Sequence, residues 1–128
     1  MSYKIVIADD EIHIRLLLEQ TLEELTDTCD IQILTAADGD EALSLILEEK
    51  PHLVFLDIMM PKKDGLTVCQ AVTRNPDCKH TQILMLTARG QTADHERGKA
   101  VGAIDYLTKP FDPDYILNIT KELLGLNG

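Results

Sequence analysis

Short apolar runs alternate along this chain with stretches in which apolar residues recur every third or fourth position. YKIVIA at 3–8 predicts a strand, and Ile14, Leu17, Leu18, Leu22 and Leu25 then mark one face of a helix. IQILTA at 31–36, rich in β-branched and aliphatic residues, predicts a second strand. Asp38 is a candidate N-cap for a helix from Gly39 to Lys50, with Ala42, Leu43, Ile46 and Leu47 inward and Pro51 as the stop. HLVFLD at 52–57 predicts a third strand, and the loop IMMPKKDG at 58–65 follows with Pro61 and Asp64-Gly65 as turn signals. Val68, Cys69 and Val72 predict a short helix, and Asn75-Pro76-Asp77 a further break. TQILMLT at 81–87 predicts a fourth strand, AIDYLT at 103–108 a fifth, and Asp112 to Leu124 a last helix with Ile116, Ile119, Leu123 and Leu124 inward. The helix predicted at 92–101 has little apolar face beyond Ala93, Ala100 and Val101, and Gly98 inside it costs about 1 kcal/mol against alanine.

Five rounds of strand then helix imply an α/β fold, a doubly wound parallel sheet with right-handed crossovers. The third and fourth strands are apolar almost throughout, as parallel strands covered on both faces are. A length of 128 residues suits a single domain over 1–128, without repeats or linker-like stretches. In such sheets ligands bind beyond the carboxyl ends of the strands.

Those ends carry the chemistry. The first strand runs into Asp9-Asp10, the third ends in Asp57, the fourth in Thr87-Ala88 and the fifth in Thr108-Lys109. Three carboxylates brought to one rim repel, and a hard divalent cation with oxygen ligands, Mg²⁺ above all, relieves them. One carboxylate can then act as a nucleophile toward phosphorus, while the cation, the lysine and a hydroxyl stabilise the transferring phosphoryl group. Taken singly, each residue has a plainer role: Asp10 could cap the first helix, Thr87 a loop, and Lys109 could be a solvated side chain. Their joint occurrence at four strand ends favours a metal-assisted phosphoryl site.

The formal charge of −10 argues against direct binding to nucleic acid or an anionic membrane and fits cation binding or a basic partner. Cys29, Cys69 and Cys78 form no C-x-x-C pair, and His13, His52, His80 and His95 are scattered, so reduced thiols without a zinc site are expected. MSYKIVIADD lacks the apolar region of a secretory signal, and no run approaches the ~18 apolar residues of a membrane span. A soluble, cytoplasmic domain is the expectation.

The segments VIADDE (6–11), LVFLDIMMPKKDG (53–65), MLTA (85–88) and DYLTKPF (105–111), in that order, resemble the receiver domain of two-component response regulators. The chain is similar in length and landmark spacing to the stand-alone chemotaxis receivers. The resemblance covers nearly the whole chain and implies a flavodoxin-like fold with strand order 2-1-3-4-5. It implies Asp57 as phosphoacceptor, and Mg²⁺ held by Asp10, by Asp57, by the backbone carbonyl of Met59, and by Asp9 through water. Thr87 would bond the phosphoryl oxygen, Ala88 would leave room for the donor, and Lys109 would reach the phosphoryl group, with a cis Lys109-Pro110 bond. Thr87 and Tyr106 would form the switch, and the fourth helix, fifth strand and fifth helix the output face, with dimerisation there as an option. Met59 and Arg89, each two residues beyond a site residue, would tune the lifetime of the phosphorylated state.

The implied partners are a sensor histidine kinase or a histidine phosphotransfer protein as donor and a downstream protein as target. The implied activity is modification of the domain itself, with no external substrate. If complete, the chain would dock to a partner or relay the phosphoryl group; if a fragment, its effector lies elsewhere. A phosphorylation-independent binding module is the alternative, and it predicts a missing acid or lysine, yet none is missing. A Mg²⁺-dependent phosphohydrolase would need a substrate-binding insertion, and the loops are short.

Overall fold

The computed structural model describes residues 2–27, 29–88 and 92–126, with the backbone alone for 92–95. The strands are β1 (Ser2–Ala8), β2 (Asp30–Ala36), β3 (Leu53–Asp57), β4 (Gln82–Thr87) and β5 (Asp105–Thr108). Between and after them come α1 (Ile12–Thr26), α2 (Gly39–Glu49), α3 (Gly65–Thr73), α4 (Thr92–Ala100) and α5 (Pro113–Leu124), with a 3₁₀ turn at Pro76–Cys78. All strand pairs are parallel and the order is 2-1-3-4-5.

Side chains alternate across each strand, so the continuous apolar runs feed two cores. Val6, Ala8, Val54, Leu56, Ile83 and Met85 pack with α2 and α3 on one face. Ile5, Ile7, Leu53, Phe55, Leu84 and Leu86 pack with α1 and α5 on the other. Helix starts follow local chemistry: Asp38, Asp64 and Asp112 each accept a backbone N–H of the first turn with the side chain. Asp64 is thus a cap rather than a turn residue. Lys50 closes α2 in the left-handed region, at φ 48°, just before Pro51. The Lys109-Pro110 bond is cis.

Three details depart from the sequence pattern. On α1 the buried stripe is Ile14, Leu18, Leu22 and Leu25, while Leu17 is 37% exposed, one step off the stripe. On α4 Ala100 is exposed and Gly98 faces inward instead, and Ala93 lies outside the described side chains. A Cβ at Gly98 would stand 3.0 Å from Met85 Cγ, so this glycine lets α4 approach β4 closely. The fifth strand is also shorter than the run 103–108, because the Ala103 N–H turns back to Gly98 O at 2.9 Å.

Close backbone approach also fixes the loop after β3. Gly65 N–H donates to Ile58 O at 2.8 Å, and a Cβ on Gly65 would collide with the Asp57 backbone oxygen. Backbone oxygen cannot swing aside as a side-chain tip can. Gly65→Ala is therefore expected to cost about 2 kcal/mol by urea unfolding, the scale of overpacking, and to displace residues 57–59. A change under ~0.5 kcal/mol, the range of an ordinary surface substitution, would contradict that contact.

Candidate functional site

Main-chain pairing carries the site residues past the strand ends. Asp9 N–H donates to Ala36 O at 3.1 Å, Ile58 N–H to Leu86 O at 3.3 Å, and Lys109 N–H to Thr87 O at 2.8 Å. Each ladder therefore extends one step beyond its strand and delivers Asp9, Asp57, Thr87 and Lys109 to a single rim. The carboxylates of Asp9, Asp10 and Asp57 place oxygens within 4.8 Å of one another. Asp9 and Asp57 are buried, and Asp10 is exposed.

The plainer roles can now be weighed. Glu11 occupies the N-cap position of α1 without a side-chain cap, so Asp10 does not cap that helix. Asp9 does the local work: its Oδ1 accepts the Glu11 N–H at 2.9 Å. Arg15 donates to the Asp9 carbonyl at 2.6 Å and pins the same turn. Lys109 is not a solvated side chain. Its Nζ lies 2.9 Å from Asp9 Oδ2, 3.4 Å from Asp57 Oδ2 and 3.9 Å from Glu11 Oε1. Thr87 is buried and its hydroxyl donates to Leu107 O across to β5 at 3.4 Å.

The cluster is electrostatically loaded. Burial pushes the Asp57 carboxyl up to about 7, and the neighbouring Asp9 charge adds to the rise, against Lys109 and the Met59 N–H, which favour the ionised form. Burial alone would lower the Lys109 ammonium, but contact with Asp9 and the charges of Asp57, Asp9 and Glu11 outweigh it and hold it above its ordinary value. Lys109 therefore does not fully offset the acids around it.

These residues fit a hard divalent cation. The donor set is all oxygen, and the buried Asp9 Oδ2 meets a single cationic group among the described contacts, Lys109 Nζ at 2.9 Å. Asp9 is engaged on both oxygens by protein groups, whereas exposed Asp10 is open to a ligand. Asp57 Oδ1 accepts the Met59 N–H at 3.2 Å, and the Met59 side chain stands 73% exposed at the pocket mouth.

The pocket has a volume of about 440 Å³, and Asp10, Asp57, Met59, Thr87, Ala88 and Lys109 all line it. Every predicted site residue on strands one, three and four and Lys109 thus meets there, apart from Asp9, which lies beneath. Tyr106 stands apart, half-buried against the α2–α3 core, with Lys99 Nζ 5.7 Å from its ring centroid. Arg89 lies outside the described residues. Two charged lining residues escaped the sequence pattern, Glu11 and Arg97. Glu11 belongs to the VIADDE run, and its place directly after the acid pair was the available signal. Arg97 gave none, because a cation in the last turn of a helix already has an ordinary reason to be there.

The family model described as response regulator receiver domain matches residues 5–121. The chain belongs to that family. This receiver domain is 47% identical over 121 residues to the probable transcriptional regulator ycf27 of Cyanophora paradoxa, covering 94% of this chain and 48% of that protein. It is 36% identical over 118 residues to the protein PilG of Pseudomonas aeruginosa, covering 92% of this chain and 84% of that one. The solved structure of the chemotaxis response regulator CheY4 of Vibrio cholerae superposes with a TM-score of 0.84 at 33% identity, over 96% of this chain and 99% of that chain. The receiver domain spans about half the length of the transcriptional regulators it matches. Among the described residues, no helix is long and apolar enough to cross a membrane.

Proposed function

We propose that this receiver domain is a phosphorylation-controlled switch whose acceptor is Asp57. The observation that carries this reading is the convergence of Asp57 with two further carboxylates and the Lys109 ammonium in one open pocket. The donor is a sensor histidine kinase or a histidine phosphotransfer protein. A carboxylate oxygen of Asp57 bonds to phosphorus as the bond from phosphorus to the donor nitrogen breaks, and the donor keeps that electron pair. Lys109 stabilises the charge on the transferring group from the Asp57 Oδ2 side. The side chain of Ala88 is small enough to leave the donor its path.

Asp9, Asp10, Asp57 and the Met59 carbonyl would hold Mg²⁺. When bound, Mg²⁺ supplies positive charge that offsets the acids and the phosphoryl oxygens. The domain modifies only itself and turns over no external substrate. Because a proton on Asp57 competes with a cation, Mg²⁺ is expected to raise the thermal midpoint more at about pH 8 than at about pH 6. Calorimetric scans check this, and equal shifts at both pH values would separate the cation from Asp57.

Signalling then follows from Thr87. Its hydroxyl gives up a long bond to Leu107 O at 3.4 Å and donates to a phosphoryl oxygen instead, and Tyr106 turns into the space that opens. Such a change shifts an existing equilibrium between two states. The α4–β5–α5 face carries the output to a partner or to a second copy. Ile104 and Tyr115 are 47% and 49% exposed there. Relatives named as transcriptional regulators support an effector portion as one target, and contact with DNA would fall to that portion, since this domain carries a charge of −10.

The test is incubation with Mg²⁺ and acetyl phosphate followed by intact mass, with Asp57→Asn and a metal-free sample alongside. One phosphoryl group gained by the native chain and lost in both controls is the expected result. No gain, together with no response to beryllofluoride, would favour a binding module that works without phosphorylation.

A further inference from the structure

Helix α4 reaches the site through a residue for which the Thr87–Tyr106 exchange has no use. Arg97 forms part of the wall of the pocket that holds Asp10, Asp57, Thr87 and Lys109. The neighbouring Gly98 faces β4, with Met85 Cγ 3.0 Å from where its Cβ would be. Residues 97 and 99 flank that contact line by about 100° on either side. One flank gives Arg97 to the pocket, and the other sets Lys99 Nζ 5.7 Å from the Tyr106 ring centroid. The last turn of α4 thus places one cation in the wall of the acid pocket and the next over the ring of Tyr106.

Charge decides what Arg97 would do there. Lys109 already lies within 4 Å of three carboxylates, at 2.9, 3.4 and 3.9 Å. A phosphoryl group replaces the single charge of Asp57 with about two and adds three acceptor oxygens. The pull on a guanidinium at the pocket wall rises accordingly, and its planar fork suits paired oxygens better than an ammonium does. Helix α4 is built to respond. Gly98 is buried in it, while Glu96, Arg97, Lys99 and Ala100 are exposed, so little apolar contact resists a shift of its last turn.

We propose that Arg97 reads the phosphoryl charge on Asp57 directly and draws the last turn of α4 toward the site. This link runs beside the Thr87–Tyr106 exchange rather than through it, and it rests on Asp57 as acceptor. Arg97 is a positioning residue in this scheme.

The experiment follows the backbone amides of residues 96–101 by NMR in the full chain, with Mg²⁺ and saturating beryllofluoride as the phosphoryl mimic. Native chain, Arg97→Gln, Arg97→Lys and Thr87→Ala are compared, each as the difference between mimic-bound and free forms. Arg97→Gln is expected to lose half or more of the α4 response, and Arg97→Lys to recover part of it. Thr87→Ala keeps the part that depends on Arg97. Salt near 1 M, where screening acts within about 3 Å, shrinks the native response toward that of Arg97→Gln and leaves the latter unchanged. A full α4 response in Arg97→Gln overturns the proposal, as does an Arg97-dependent response indifferent to salt. Acetyl phosphate labelling with intact mass separates the two levels: a labelled native chain with a full response in Arg97→Gln removes only the Arg97 link. A native chain that neither labels nor responds removes the acceptor reading and the link together.

Discussion

Exchanging Asp57 for asparagine is expected to abolish phosphoryl acceptance and, at neutral pH, to make the fold more stable. The first effect follows from losing the proposed nucleophile. The second follows from the position of Asp57, buried beside the Asp9 charge, with its carboxyl pushed up to about 7. A carboxyl whose folded value lies above its unfolded value binds protons more tightly in the fold. Its ionisation therefore costs stability above about pH 7, and that cost fades as pH falls toward the ordinary carboxylate range. At 1.36 kcal/mol per pKa unit, and allowing half for sharing the load with Asp9, the cost is about 2 kcal/mol. Asparagine keeps the shape without the charge. Its thermal midpoint is expected to rise by roughly 5–10 °C at about pH 8 and by almost nothing at about pH 4. A lowered midpoint at about pH 8 would mean that the Asp57–Lys109 contact outweighs burial.

Removing Lys109 has the opposite sign. Lys109→Met leaves Asp9 and Asp57 buried without their cation, and breaking a buried pair from one side costs about 3 kcal/mol. The raised ammonium contributes stability that is fully present below its unfolded value and is lost only as pH climbs through the still higher folded one. The pH profile of the variant is therefore set by the acids. Its deficit is largest above about pH 7 and shrinks as acid protonates Asp57. Mg²⁺ should restore part of it, because a cation takes over the charge balance. Urea unfolding at several pH values checks this, and a deficit independent of pH and of Mg²⁺ would show that Lys109 acts only through packing. Phosphoryl acceptance should fall steeply in the same variant at every pH.

Much of this was legible because the rim of a parallel sheet is a place that sequence order defines. Once the strand ends are found, Asp9, Asp10, Asp57, Thr87 and Lys109 must share an edge, and only their detailed partners remain open. Periodicity served less well where apolar residues were plentiful or scarce. In the run Leu16-Leu17-Leu18 every position is apolar, so the pattern could not tell that Leu17 lies off the buried stripe. Among the described side chains of α4 the inward residue is Gly98, which has no hydrophobic signal at all, while Ala100, one of the few apolar residues there, is exposed.

The division of labour between the paired acids was likewise hidden. Asp9 is buried and holds the turn through the Glu11 N–H, while exposed Asp10 is left for a ligand. A sequence shows two adjacent carboxylates without showing which one points inward. Arg97 reached the pocket from an element that pattern and composition marked as weak, and only the close approach of α4 to Met85 brings it there.

We propose that Asp57 itself carries the phosphoryl group. Borohydride reduction of the chain after acetyl phosphate treatment tests it most directly, because an acyl phosphate on aspartate is reduced to homoserine and can be located by peptide mass. Homoserine at position 57, dependent on Mg²⁺, is the predicted result. Homoserine at position 9 or 10, or a phosphate that resists reduction on a hydroxyl or imidazole, would contradict it.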